Sequence, residues 1–166
     1  KLKFKEKTNI EILQKAVGKT TGNMTLEINT KMPTTSTMAK HWKSGRFSNE
    51  KWDQKITVEM TTLDHLIKIY GEPNYIKIDV EGFELDVLLG LSKKVGIISF
   101  EFTSEFLDQS INCLNHLEKI GYKKYNFSIG ERRKFFSEWS NIDDLMRQLK
   151  SEIQKDKLLW GDIYCK

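Results

Sequence analysis

Two short apolar runs flank a helical pattern in the middle of the chain, and that alternation restricts the fold more than anything else in the sequence. Tyr75 to Val80 (YIKIDV) is nearly continuous in apolar residues apart from Lys77, and Val95 to Phe102 (VGIISFEF) repeats the pattern. Strands of this kind suit a sheet covered on both faces. Between them, Glu84 to Leu91 has the apolar spacing of a helix. Strand, helix, strand predicts a βαβ unit and a largely parallel sheet. In such sheets ligands bind outside the carboxyl ends of the strands.

The flanking segments extend the alternation. Asn9 to Val17 reads as a strand ended by Gly18, Asn23 to Ile28 alternates with period two, and Lys55 to Met60 does likewise. Thr61 is the predicted N-cap of a helix, with Asp64 in the capping-box position and Leu63, Leu66, Ile67 and Tyr70 on one face. Gly71 ends that helix and Pro73 follows. Leu107, Ile111, Leu114 and Leu117 share a helical face closed by Gly121. Tyr125 to Ile129 reads as a strand. Ser140 with Asp143 caps a last helix, whose inward face is Ile142, Leu145, Met146, Leu149 and Ile153, and Leu158 to Cys165 forms the final strand. The expected organisation is one domain over residues 1–166, interrupted by a long polar excursion from Asn29 to Gln54. That excursion carries Met32, Met38, Trp42, Phe47 and Trp52. Connections of this length are usually either functional or disordered. Two tryptophans and a phenylalanine are costly to leave in water, so the excursion is read as a lid over the strand mouths. The other reading is a hairpin tip packed on its own stem.

Composition excludes several classes. No stretch approaches the ~20 apolar residues of a membrane helix, so no membrane partner is expected. Cys113 and Cys165 cannot build a disulfide scaffold and lack metal-ligand spacing. With no charged-then-apolar leader pattern at the start, a reducing, cytoplasmic setting is the expectation. Lys and Arg number 27 against 23 acids, a formal charge of +4. This permits an anionic partner without arguing for one. Glu131-Arg132-Arg133-Lys134-Phe135-Phe136 and Tyr122-Lys123-Lys124-Tyr125 interleave basic and aromatic residues. Without a recognised binding module they read as structural, and nucleic acid is not the expected partner.

Chemistry concentrates where the two buried strands end. The first gives Asp79, then Glu81 and Gly82, and the second gives Glu101. Carboxylates at the mouth of an apolar strand are costly unless something binds or pairs them. They point to a general base, a partner for a cationic ligand, or an oxygen-built site for a hard cation. The structural alternative makes Asp79 an N-cap for a helix starting near Glu81, with Lys77 neutralising a neighbour. His41, His65 and His116 share no ligand spacing, and no nucleophile–base pair is suggested.

Val58-Glu59-Met60-Thr61-Thr62-Leu63-Asp64-His65-Leu66-Ile67 leads into Tyr75-Ile76-Lys77-Ile78-Asp79-Val80-Glu81-Gly82-Phe83-Glu84-Leu85. This stretch resembles the FkbM-type methyltransferase family, with its "T-L-D-x-L-I" helix and "I-K-I-D-V-E-G-x-E" strand. Ala16-Val17-Gly18 is similar to that family's "A-V-G" segment, and Trp160-Gly161-Asp162-Ile163-Tyr164 to its closing strand. The resemblance runs from about Asn9 to the C-terminus. It implies a class I methyltransferase (Rossmann-like) α/β sheet, mostly parallel with an antiparallel last strand. It also implies S-adenosylmethionine as methyl donor and a hydroxyl acceptor on a sugar, polyketide or other small metabolite. Carried over by position, Ala16, Val17 and Asp79 would contact the cofactor, Asp79 and Glu81 would be catalytic, and Glu101 is a supporting acid at the substrate with Trp42 from the lid. No metal ligand is assigned.

The family's glycine-rich donor loop is not present in this chain. Its ten glycines are scattered singly, and only eight residues precede the strand equated with the family's third. A βαβ unit needs ~30 residues. The expectation is a sheet lacking its first two strands, from the C-terminal portion of a longer protein, with Lys1 to Lys7 as the tail of a preceding helix. Two other readings stand beside this one: a non-catalytic α/β binding or assembly module, and RNA modification using the Arg132–Arg133 patch.

Overall fold

The computed structural model describes residues 9–132 and 134–166. The expected helix tail at Lys1 to Lys7, and Arg133 of the basic run, lie outside the described residues. In chain order the elements are β1 (Ala16–Val17), β2 (Gly22–Ile28), β3 (Gln54–Thr61), α1 (Leu63–Tyr70), β4 (Tyr75–Ile78), α2 (Glu84–Leu89), β5 (Ile97–Thr103), α3 (Leu107–Lys119), β6 (Tyr125–Ile129), α4 (Ile142–Lys155) and β7 (Trp160–Cys165). Among the described residues no helix is long and apolar enough to cross a membrane.

The result is a mixed α/β structure with two sheets rather than the one expected. In the first, β3 lies between β1, which is parallel to it, and β2, which is antiparallel. The second has the order β4-β5-β7-β6. There β4 and β5 pair in parallel, while β7 pairs antiparallel with both β5 and β6. So β4, β5 and β6 share one direction and β7 opposes them. The expected direction of the last strand holds, but a mostly parallel set of pairings does not, because β7 inserts between β5 and β6.

The core sits on this second sheet. Ile98, Phe100, Phe127 and Ile163 are fully buried, with Leu114 and Leu117 from α3 and Leu145 and Leu149 from α4. Tyr122 and Tyr125 of the basic–aromatic stretch are also fully buried, their hydroxyls donating to the Val95 and Tyr122 carbonyls. Phe136 stacks on Phe127 at 4.4 Å. These aromatics are structural.

Element ends differ from expectation in ways that packing explains. The run from Asn9 to Val17 is a strand only at Ala16–Val17, which pair with Met60 and Thr61. Ile10, Ile12 and Leu13 are exposed. The cap of α1 is Thr62, whose Oγ1 accepts from the His65 N–H (3.1 Å), because Thr61 is still a buried strand residue. Asp64 instead accepts from the Ser92 N–H and ties α1 to the loop after α2. Likewise Asn141, not Ser140, caps α4 by accepting from the Asp144 N–H (2.9 Å). β4 stops at Ile78 rather than Val80, and α2 starts at Glu84 with no side-chain cap. Asp79 is therefore not an N-cap; it lies in the turn, five residues before the helix.

The excursion after β2 folds into three short 3-10 turns, Pro33–Thr35, His41–Lys43 and Gly45–Phe47. Thr37 pairs with Glu27 through reciprocal backbone bonds, and its Oγ1 donates to the Glu81 carbonyl (2.6 Å). Trp52 packs on its own stem, donating from Nε1 to the Thr35 carbonyl. Trp42 crosses to the β4–α2 turn. Trp52 thus follows the hairpin-tip reading, while Trp42 packs against Gly82 of that turn.

Candidate functional site

Register brings the acids together. Ile78 pairs with Phe100, so the next residues, Asp79 just past the end of β4 and Glu101 two residues before the end of β5, come side by side. Glu81 joins them from the turn, where it holds a positive φ of 54°, followed by Gly82 at 90°. A non-glycine residue in this region costs on the order of 1 kcal/mol and persists only when its surroundings over-determine it. Here they do. Glu84, buried at the start of α2, accepts from the backbone N–H groups of Val80 (3.3 Å) and Gly82 (3.2 Å), and Thr37 holds the Glu81 carbonyl. One carboxylate oxygen each from Asp79, Glu81 and Glu101 lies within 4.8 Å of the other two. Three oxygens so spaced match what a hard cation or an acceptor hydroxyl would bind.

The charge on this cluster is poorly compensated. Lys77, on β4, bonds Asp162 and stands 3.6 Å from Asp79. Burial works against its charge, but the bond to Asp162 and the nearby acids outweigh that and raise its pKa. The reading in which Lys77 neutralises a neighbour is therefore correct. Burial, then Asp79 and Glu84, push Glu81 up to about 7. Burial, then Asp79, Glu81 and Glu84, push Glu101 up to about 8, with Lys77 opposing. Burial also raises Glu84. A carboxyl poised near neutrality can hold or take a proton at working pH.

Two cavities lie near the acids, one reaching their turn through Val80 and the other lined by Glu84 and Glu101. The first, about 380 Å³, opens where the chain before Ala16 separates from β3. Leu13 to Ala16 face Leu26, Ile56 and Val58 across it, and Ser36, Thr37, Met38 and Val80 close it. That volume is in the range of small-molecule sites. Val80, between Asp79 and Glu81 in sequence, thus lines the same cavity as Ala16. Val17 does not line this cavity. It packs against the core, and Gly18, whose N–H donates to the Thr61 carbonyl (2.8 Å), meets the end of α2. A Cβ on Gly90 would stand 2.3 Å from the Gly18 carbonyl oxygen, so this approach needs glycine. The second cavity, about 20 Å³, lies among His41, Trp42, Gly82, Glu84, Glu101 and Thr103, with α3 beyond. Trp42 is buried there against Phe47 and Phe106.

Of the residues expected from sequence, Asp79, Glu81 and Glu101 are brought together, Trp42 borders Glu101, and Ala16 lines the neighbouring cavity. Sequence reasoning missed Glu84, Thr37, Asp162, His41 and Thr103. Of these, Glu84 was within reach, as the third acid in D-V-E-G-F-E. His65 is exposed, and His116 donates from Nε2 to the Leu91 carbonyl (3.0 Å), a structural role.

No curated protein and no solved structure matches the chain significantly. A family model described as the methyltransferase FkbM domain matches residues 1–153, nearly the whole sequence and all of the acid-bearing turn. The chain therefore belongs to the FkbM methyltransferase domain family.

Proposed function

We propose that the chain serves an S-adenosylmethionine-dependent O-methyltransferase acting on a hydroxyl of a sugar, polyketide or similar small metabolite. We read its second sheet as the β4-to-β7 side of a class I methyltransferase sheet. The observation that carries this is the convergence of Asp79, Glu81 and Glu101 where β4 ends alongside β5, near a cavity lined by Ala16 and Val80.

The residues fit the cofactor. The larger cavity offers apolar walls (Ala16, Leu26, Met38, Ile56, Val58, Val80) to an aromatic base and polar groups (Gln14, Lys15, Ser36, Thr37) at its margin. A cationic sulfonium also suits an acid-rich neighbour. When bound, the cofactor would supply an electrophilic methyl group. The chain's own part is to orient the acceptor and manage its proton. Asp79, the most exposed of the three acids, accepts the hydrogen bond of the acceptor hydroxyl and acts as the base. Glu81 and Glu101, raised toward neutrality, take or hold the proton beside it. Trp42 covers the turn and keeps water from it. Holding the acceptor in line accounts for most of the rate such a site can provide.

Calorimetric titration of the full-length protein with S-adenosylmethionine is the direct test. Saturable binding in the micromolar range supports the reading, and absence of binding overturns it.

A further inference from the structure

At the edge of the second sheet, the chain that returns along β6 carries exposed aromatic rings between cations. The turn after the strand is fixed by backbone bonds. The Gly130 N–H donates to the Trp160 carbonyl (2.8 Å), the Arg132 N–H to the Ile129 carbonyl (3.2 Å) and the Phe136 N–H to the Phe127 carbonyl (2.8 Å). Ser140 and Tyr125 then exchange backbone bonds, so the segment runs antiparallel beside the strand. One face of Phe136 is structural, stacked on fully buried Phe127. Phe136 is nevertheless 40% exposed and Phe135 43%. Both line a cavity of about 210 Å³ with Ile129, Arg132 and Lys134. Phe135 meets Trp139 at 5.2 Å, and the Lys166 ammonium stands 4.2 Å from the Trp139 ring. The backbone N–H groups of Lys123 and Lys124 donate to the Lys166 carbonyl oxygen, so three lysines meet at that end.

Charge selects the class of occupant. Arg132, Lys134, Lys123, Lys124 and Lys166 make no ion pair with a described residue. The acids of the returning segment, Glu131 and Glu138, are fewer and exposed, so the rim attracts an anion. The rings distinguish among anions. With one face on Phe127, Phe136 turns the other outward, where a flat base can stack. A lipid surface would be met by apolar side chains free to insert. Here Phe135 is held edge-to-face by Trp139 and Tyr164, and Phe136 by Phe127. The cavity is smaller than most small-molecule sites and suits a single ring system. Because β6 is five residues long, the cations at its two ends lie roughly 17 Å apart. That is more than one nucleotide covers.

We propose that this rim binds a single-stranded nucleic acid. A base stacks on the outer face of Phe136 beside Phe135, its phosphate meets Arg132 and Lys134, and the strand continues over Trp139 to Lys166, Lys123 and Lys124. Stacking of this kind accepts every base, so little sequence preference accompanies it. The site does not rest on the methyltransferase reading: the strand is a bound partner here and not a reactant.

The test is fluorescence anisotropy of a labelled oligouridylate of about twenty nucleotides, titrated with the full-length protein. Saturable binding is expected. It should weaken at least about tenfold between roughly 50 and 200 mM salt, since each phosphate contact to a single strand adds about 0.7 to the salt slope. A mixed-sequence RNA duplex, whose bases are already stacked, and polyphosphate, which has none, should each bind about tenfold or more weaker. The double variant Arg132→Gln/Lys134→Gln, which alters two exposed side chains, should make the slope shallower by about 1.4. Phe135→Ala should weaken binding about fivefold or more at fixed salt. UMP should compete only at far higher concentration than the strand. Absent binding, equal affinity for duplex or polyphosphate, or an unchanged affinity and slope in the double variant overturns the proposal. So does UMP competing as well as the strand, which would leave a mononucleotide pocket. Binding to phosphatidylserine-containing vesicles in place of the strand would make the rim a lipid surface and overturn it too. The ligand comparisons use the wild-type protein, so they stand even if Phe135→Ala fails to fold.

Discussion

The indole of Trp42 lies directly against Gly82: a Cβ built on that glycine would stand 2.8 Å from Trp42 Cε3 and 3.1 Å from its Cβ. Gly82 also has a φ of 90°, where an L side chain is strained. Gly82→Ala therefore meets two penalties, backbone and steric, and the indole cannot retreat because Phe47 and Phe106 stand around it. The expected loss is about 2–4 kcal/mol, lowering Tm by roughly 5–15 °C. Denaturant titration checks it. A loss below about 1 kcal/mol would mean that Trp42 does not press on the turn.

Arg46 fastens the segment that carries Trp42. Its Nε and Nη2 donate to the two Glu105 oxygens at 2.6 and 2.5 Å, and Nη2 also donates to the Leu158 carbonyl. The Arg46 bond holds the Glu105 carboxyl below its ordinary range. A depressed acid stabilises above its unfolded pKa of 4.5 and loses that contribution as pH falls through the folded value. Glu105→Gln should cost about 1–2 kcal/mol at pH 7 and less at acid pH. Amide exchange across residues 41–47 should quicken with it. Unchanged exchange would show that the segment is held by its aromatics alone.

What sequence reasoning reached and missed divides along local and non-local lines. The strands expected at Tyr75 to Val80 and Val95 to Phe102, found at Tyr75–Ile78 and Ile97–Thr103, are legible with their acids because apolar runs and turn residues are local signals. The separation into two sheets was not, since it depends on which strands meet. The role of Asp162 is hidden for the same reason: it faces Glu101 only through the antiparallel register of β5 and β7. The cap of α1 slipped by one because Thr61 and Thr62 offer the same hydroxyl, and only pairing with Val17 commits Thr61 to the strand. His41 and Thr103 carried no signal, since a polar residue in a loop or at a strand end is ordinary until burial strips away its water.

Stability should fall as pH rises from 5 to 8. Glu81 and Glu101 release their protons near 4.5 when unfolded but near 7 and 8 when folded. Across that window the folded chain binds more protons, so the stability it has below pH 4.5 is lost as pH climbs through the folded values. Glu101→Gln removes the larger part. It should flatten the profile and stabilise the protein at pH 8 on the order of 2 kcal/mol, read from denaturant midpoints across the pH series. A profile unchanged by the substitution would place the titration elsewhere.

Asp79→Asn separates the base from its neighbours. Asp79 is more than half exposed, and its ion pair with Lys77, at 3.6 Å, is long and shared with Asp162. Stability at pH 7 should therefore change by less than about 1 kcal/mol. The electrostatic effect is larger, because after burial Asp79 is the leading cause of the raised pKa values of both Glu81 and Glu101. In the variant both carboxyls should titrate lower, visible as downward shifts in their side-chain carbon signals. If Asp79 takes the acceptor proton, methyl transfer falls about 100-fold or more at every pH. If Glu101 takes it instead, the variant keeps its activity and the acidic limb of the rate profile moves to lower pH with the Glu101 pKa. The first outcome is expected, since Asp79 is the acid of the three that water and an incoming hydroxyl reach most easily.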